Sequence, residues 1–249
     1  MKLEKFIQLE CKSPYLFHNE KTKISVDFRI CPLMKKEGNI YTSSICKGCY
    51  SARIISLYPR LRKKLENLPQ QNDNQLLDFI NDCERLKSEY DIKKIRFYSL
   101  ADFDPKDFPY IIAASLYFKV YIISKILTFP KYEKYLFTLS KIPNMMASLS
   151  FNKNNFKQKK RIVDVIKENN IKNFSINYTM NYEEENPLSE KFRDINIFHF
   201  RNRNKLNSLV KFDIDPSRIC CLYNENGRAV EKHGKCAACS NCDNSYSAL

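Results

Sequence analysis

Three cysteines are spaced C-x14-C-x2-C in "RICP" and "ICKGCYSAR", at Cys31, Cys46 and Cys49. A second group, Cys220-Cys221-x14-Cys236-x2-Cys239-x2-Cys242, lies towards the C-terminus around "GKCAACSNCDNS". A Cys-x2-Cys pair lets two thiolates reach one metal while the amides of the short turn point at the sulfurs. Ten cysteines in a cytosolic-looking chain point to metal rather than disulfides. Four thiolates suit structural zinc; three suit an iron–sulfur cluster with one open iron. The run at Cys236, Cys239 and Cys242 has ferredoxin-type density, with Cys221 or Cys220 as the fourth ligand. In the first group Cys31, Cys46 and Cys49 stand as three, because His18, the nearest histidine, is not at ligand spacing. Iron–sulfur is preferred to zinc for both groups, and a site completed by a C-terminal cysteine is the other arrangement. His233, three residues before Cys236, is a spare ligand. Cys11 and Cys83 stand apart and read as structural.

All four glycines, Gly38, Gly48, Gly227 and Gly234, fall in the cysteine segments, which implies tight backbone there. No G-x-G-x-x-G and no G-x4-G-K-[ST] occurs, so a P-loop nucleotide hydrolase is excluded.

The elements that must position the thiols read as an alternation. Short apolar runs predict strands over 24–30, 94–100, 119–124, 145–151, 173–179 and 195–200. Helix-like segments fill the gaps. "NQLLDFINDCERLKSEY" places Leu76, Leu77, Ile80, Cys83 and Leu86 on one stripe, and Pro105 and Pro130 stand where helices would start. From the second strand on, the period of about 25 residues is that of parallel βαβ units. An open doubly wound sheet or a partial barrel satisfies the pattern, and both gather ligands at the carboxyl ends of the strands. Cys31 immediately follows the first such strand.

A net charge of +14 favours a polyanion, nucleic acid first, although plentiful Lys, Asn and Ile also fit an AT-rich coding bias. The basic runs "RLRKKLENL", "KQKKR" and "RNRNK" are spread rather than concentrated. The start "MKLEKFIQLECKSPYLF" lacks a signal-peptide apolar core, and no apolar stretch is long enough to span a bilayer. No membrane partner and a cytoplasmic location are expected.

The order "RICP…CKGCYSAR", "IRFYSLADFDP" and a closing "C…GKCAACSNC" resembles the phage gene-product-88-like proteins, from about Ile24 to Cys242. The resemblance implies a phage-encoded protein in a host cytoplasm. More distantly, a three-cysteine loop after the first strand resembles the radical S-adenosylmethionine (SAM) superfamily. That likeness implies a (β/α)6 barrel and a [4Fe–4S] cluster on Cys31, Cys46 and Cys49, with SAM at the open iron and Tyr50 near its adenine. The cysteine spacing is wider here, and Leu100-Ala101-Asp102-Phe103 replaces the glycine-rich segment that meets the SAM ammonium; Asp102 would accept a hydrogen bond from it.

Asp102 is also the expected catalytic carboxylate, since Asp104 is the better cap for a helix at Pro105. Lys125 ends the third strand and is the second catalytic candidate, for an anionic substrate. Ser150, Asn152 and Asn177 are weaker polar candidates; His199 reads as a core histidine, and Arg201 and Arg203 as anion ligands.

The expectation is an α/β protein with a partial (β/α)6 barrel over residues 1–219 and a cysteine-rich metal segment over 220–249 packed on it. Function divides between a cluster-dependent enzyme acting on nucleic acid or a nucleotide, and a zinc- or cluster-stabilised module that binds nucleic acid or a host factor without turnover.

Overall fold

A computed structural model of the chain describes residues 2–19, 23–46, 49–180 and 189–200. The described residues fall into two compact units, one from 2–126 with Lys141–Met145, the other from Leu127–Ser140 with 146–200.

The first unit opens with helix α1 (Leu3–Leu9) and strands β1 (Leu16–Asn19) and β2 (Lys23–Val26). A hairpin, β3 (Lys35–Glu37) and β4 (Ile40–Thr42), precedes helices α2 (Tyr50–Leu57), α3 (Pro59–Glu66) and α4 (Asp73–Tyr90). Strand β5 (Lys94–Phe97), helix α5 (Phe108–Tyr117) and strand β6 (Lys119–Ser124) complete it. The strands lie in the order β1-β2-β5-β6. β1 pairs antiparallel with β2, while β2/β5 and β5/β6 are parallel. The second unit holds α6 (Glu133–Ser140), all but the first residue of β7 (Met145–Phe151), α7 (Lys159–Glu168), β8 (Phe174–Met180) and β9 (Ile197–Phe200). Both of its described pairings, β7/β8 and β8/β9, are parallel. The protein is therefore a mixed α/β chain with mostly parallel strands, as the alternating pattern predicts.

Local chemistry sets the element ends. Asn72 caps α4 by accepting the Gln75 N–H at 2.9 Å, and Asp91 ends it in the left-handed region at φ +47°. Pro105 opens a short 3₁₀ turn capped reciprocally by Asp104 and Asp107, which runs into α5. Pro130 opens a 3₁₀ turn ahead of α6 without a side-chain cap. The core stripe of α4 differs from the expected one. Phe79, Asp82, Cys83 and Leu86 are buried, whereas Leu77 is 59% exposed. Asp82 belongs inside because its Oδ2 accepts the Ser13 N–H at 2.7 Å and the Cys11 thiol at 3.0 Å. That contact gives both Cys11 and the buried Cys83 structural surroundings.

The hairpin, α2 and α3 form a small satellite core. Tyr41, Ala52, Ile55 and Leu65 are buried with Phe17, and Cys49, Leu61 and Leu68 pack against them. Gly38 supplies the φ of +60° that the two-residue turn between β3 and β4 requires. Tyr41 locks the three pieces: its N–H donates to Ser56 Oγ at 2.8 Å and its hydroxyl to Glu66 at 2.6 Å.

Candidate functional site at the cysteine loop

The thiols sit beyond the carboxyl ends of β2, β5 and β6. Strand β2 stops at Val26, and the chain turns at Cys31, whose carbonyl accepts the Met34 N–H at 3.0 Å. Cys31 is buried, and burial pushes its thiol up to about 12. The Cys46 N–H donates to Ser43 Oγ at 3.1 Å, which shapes the approach to α2. Cys49 is the N-cap of α2, and its carbonyl accepts the Arg53 N–H at 3.1 Å. Tyr50 opens that helix directly after it.

The pair Cys46–Cys49 is asymmetric. The two thiols act on each other first of all, which raises the Cys46 thiol well above the ordinary range and lowers that of Cys49. The Ser51 and Ala52 amides at the head of α2 add to the Cys49 shift. Lys125, buried at the end of β6, favours the ionised form of both thiols. Cys31 is close enough to act on Cys46 electrostatically. This donor set suits a thiophilic metal: the three thiols lie within electrostatic reach of one another, and Cys49 is the one shifted towards thiolate. Among the described residues, no group of three or more His, Cys, Asp or Glu side chains is closed into a metal-holding arrangement.

Asp102 lies at this end of the strands, and its carboxylate is fully engaged. One oxygen accepts Ser124 Oγ and the Phe103 N–H, the latter at 2.8 Å. The other accepts the N–H groups of Lys125 at 3.0 Å and Ile126 at 3.2 Å. Burial raises its carboxyl while these bonds pull the other way. Asp102 thus fixes the backbone that carries Lys125. Asp104, as expected, is a cap, accepting the Lys106 N–H at 2.9 Å.

Asp27 is the residue that sequence reasoning missed. It ends the first parallel strand, is fully buried, and accepts the Leu100 and Ala101 N–H groups at 2.8 and 2.9 Å on Oδ1. Its Oδ2 is buried without a hydrogen-bond partner, and burial raises the carboxyl to about 7. The available signal was an acid in the middle of an apolar run, "ISVDFRI". Asp27 and Asp102 bracket the segment Leu100–Asp102, giving a glycine-free loop a fixed course. The loop is held again where Ser51 Oγ donates to the Ser99 carbonyl at 3.3 Å, and where Tyr98 leaves β5 at φ +64°.

The weaker candidates lie in the second unit. Asn152 and Asn155 close the turn after β7: the Asn152 N–H donates to Asn155 Oδ1 at 2.7 Å, and Asn155 Nδ2 donates to the Ser150 carbonyl at 3.0 Å. Asn177 is buried in β8 and pairs in register with Ser150 and Ile197, and His199 pairs with Thr179. Arg201, Arg203, Cys220, Cys221, His233, Cys236, Cys239 and Cys242 lie outside the described residues. No described helix is long and apolar enough to cross a membrane. Comparison with protein-family models, with curated proteins and with solved structures finds no match for this chain.

Proposed function

We propose that the chain is an iron–sulfur-cluster protein on a radical-SAM-like (β/α)6 barrel, a cluster-dependent enzyme whose substrate is a nucleic acid or a nucleotide. One observation carries this reading: three thiols, Cys31, Cys46 and Cys49, that act on one another electrostatically, with Cys49 at the head of α2 and Lys125 acting on the pair, at the carboxyl ends of parallel strands. Cys31, Cys46 and Cys49 would hold a [4Fe–4S] cluster. Cys221, Cys236, Cys239 and Cys242 would hold a second. When bound, such a cluster supplies single electrons to a molecule at its open iron, and SAM is the molecule that the resemblance implies. The chain's own residues do the rest. Lys125 offsets thiolate charge and orients an anionic group; Asp102 holds the Lys125 backbone; Asp27 holds the loop opposite.

A zinc-stabilised binding module is the second reading. It is favoured by the full engagement of Asp102, whose two oxygens both accept protein donors. Purification without oxygen, followed by iron, sulfide and zinc analysis and a visible spectrum, separates the two. Iron and sulfide in cubane proportion with absorption near ~400 nm support the cluster; stoichiometric zinc without colour overturns it. Loss of the metal in C46A/C49A would locate it.

A further inference from the structure

We infer that the outer face of the hairpin–α2–α3 satellite binds single-stranded nucleic acid, which deepens the reading above by giving its polyanionic partner a place. The described residues between 35 and 66 hold seven basic side chains and two acidic ones, a density of positive charge well above that of the whole chain. The two acids are largely occupied or outnumbered: Glu66 pairs with Lys36 at 2.8 Å and accepts the Tyr41 hydroxyl. Lys35, Arg53, Arg60 and Lys63 are exposed and make no ion pair among the described residues. Arg60 and Lys63 stand three residues apart on α3, off the face whose Leu61 and Leu65 pack into the satellite core.

Charge alone would fit any polyanion; the apolar side chains beside it narrow the choice. Tyr58, at the junction of α2 and α3, is 57% exposed, Leu57 before it 60%, and Ile40 on β4 59%. An exposed ring in the same short segment as exposed guanidinium and ammonium groups offers a stacking surface and phosphate ligands, the combination by which proteins bind single strands. A membrane surface would need an amphipathic helix with a free apolar face. In α2 and α3 that face is taken up by Ala52, Ile55, Leu61 and Leu65 inside the satellite. Cys49 packs against the core of the same satellite.

The test is fluorescence anisotropy of the full chain with a labelled oligothymidylate of about 20 nucleotides, titrated across salt concentrations. Wild type should bind with an affinity that falls steeply with salt. R60E/K63E should bind about tenfold or more weakly and show a shallower salt slope, by roughly 0.7 for each phosphate no longer neutralised. Y58A should bind about fivefold more weakly with the slope unchanged. Both variants lie on the surface, and unchanged circular dichroism and metal content show that they fold and leave the thiols intact. Binding by wild type that neither variant weakens overturns the surface while leaving a nucleic-acid partner standing. No binding at low salt overturns both, and the metal analysis still reports on the cluster separately. Equal competition by duplex overturns the single-strand assignment. Capture by phosphatidylserine vesicles without oligonucleotide binding overturns it in favour of a lipid surface.

Discussion

The Asp102 carboxylate accepts the backbone N–H of Lys125 at 3.0 Å, so the two residues that sequence reasoning selected as site candidates are joined through main chain. Asp102 sits in the loop after β5, and Lys125 is the first residue after β6. The bond therefore ties the carboxyl ends of neighbouring parallel strands. A lysine beside two thiols is useful only if its backbone is fixed, and Asp102 supplies that constraint together with Ile126 and Ser124. Asp102 is accordingly a positioning residue, and its replacement acts on Lys125.

Removing this carboxylate should be costly. Asp102→Ala leaves the buried Lys125, Ile126 and Phe103 N–H groups and the Ser124 hydroxyl without their acceptor, each worth about 1 kcal/mol or more. A loss of about 4 kcal/mol in urea unfolding is expected. A change under about 0.5 kcal/mol would show that the bonds are not made. Ser124→Ala removes one donor and should cost about 1 kcal/mol.

The thiol pair makes a prediction in metal-free protein. Cys49 is held below the ordinary thiol range by the neighbouring Cys46 thiol first, then by the α2 amides and Lys125. Iodoacetamide near neutral pH, read by peptide mass spectrometry, should label Cys49 ahead of Cys31 and Cys83, whose thiols burial raises. Cys46→Ala should move the Cys49 labelling profile to higher pH, and Lys125→Met should do so to a lesser extent. Labelling of Cys46 before Cys49 would reverse the order of the two thiols.

The carboxyl-end placement of these groups was legible in the sequence because it follows from period. Strands at 119–124 and 145–151 appear where the alternation puts them, and so do α4, α5, α6 and α7. The first strand is shorter than its apolar run, since Asp27 leaves the ladder to serve Leu100 and Ala101. Missed altogether were β1, the hairpin, α2 and α3. The antiparallel partner β1 and the three-residue strands of the hairpin are too short for a periodic signal. The basic run from Arg60 hides an amphipathic turn whose apolar residues are only Leu61 and Leu65. That Asp102 would be saturated, and Asp27 left with an unpaired oxygen, depends on contacts more than 20 residues apart in sequence, which no local pattern encodes.

Asp27 gives stability a pH dependence of definite sign. Its carboxyl is raised from 3.8 to about 7 in the folded chain by burial. Between these values the folded state holds the proton more tightly than the unfolded state, so this group's contribution is fully present below about pH 4. It declines as pH rises and is gone above about pH 7. Asp27→Asn keeps an oxygen for Leu100 and Ala101 and cannot ionise. Across that window wild type should lose up to about 4 kcal/mol relative to the variant, measured by urea unfolding at several pH values. Parallel curves for the two proteins would place the Asp27 titration elsewhere.

The last prediction concerns the strut beneath the site. Asp107 is fully buried and receives Arg29 Nη1 at 3.0 Å, Gln71 Nε2 at 2.9 Å and the Tyr98 hydroxyl at 2.8 Å. Tyr98 needs the help: at φ +64° a bulky side chain strains a left-handed backbone, and its N–H bond to the Val26 carbonyl at 2.9 Å holds the other side. Arg29→Ala leaves a carboxylate in the interior without its cation and should cost about 3–5 kcal/mol. Tyr98→Phe removes one donor of several and should cost about 1 kcal/mol. In the double variant Arg29→Ala/Asp107→Asn the loss should be smaller than for Arg29→Ala alone, because the stranded charge is gone. An additive loss would mean that the guanidinium and the carboxylate are independently solvated. The Tyr98 turn would then owe its conformation to the Val26 bond.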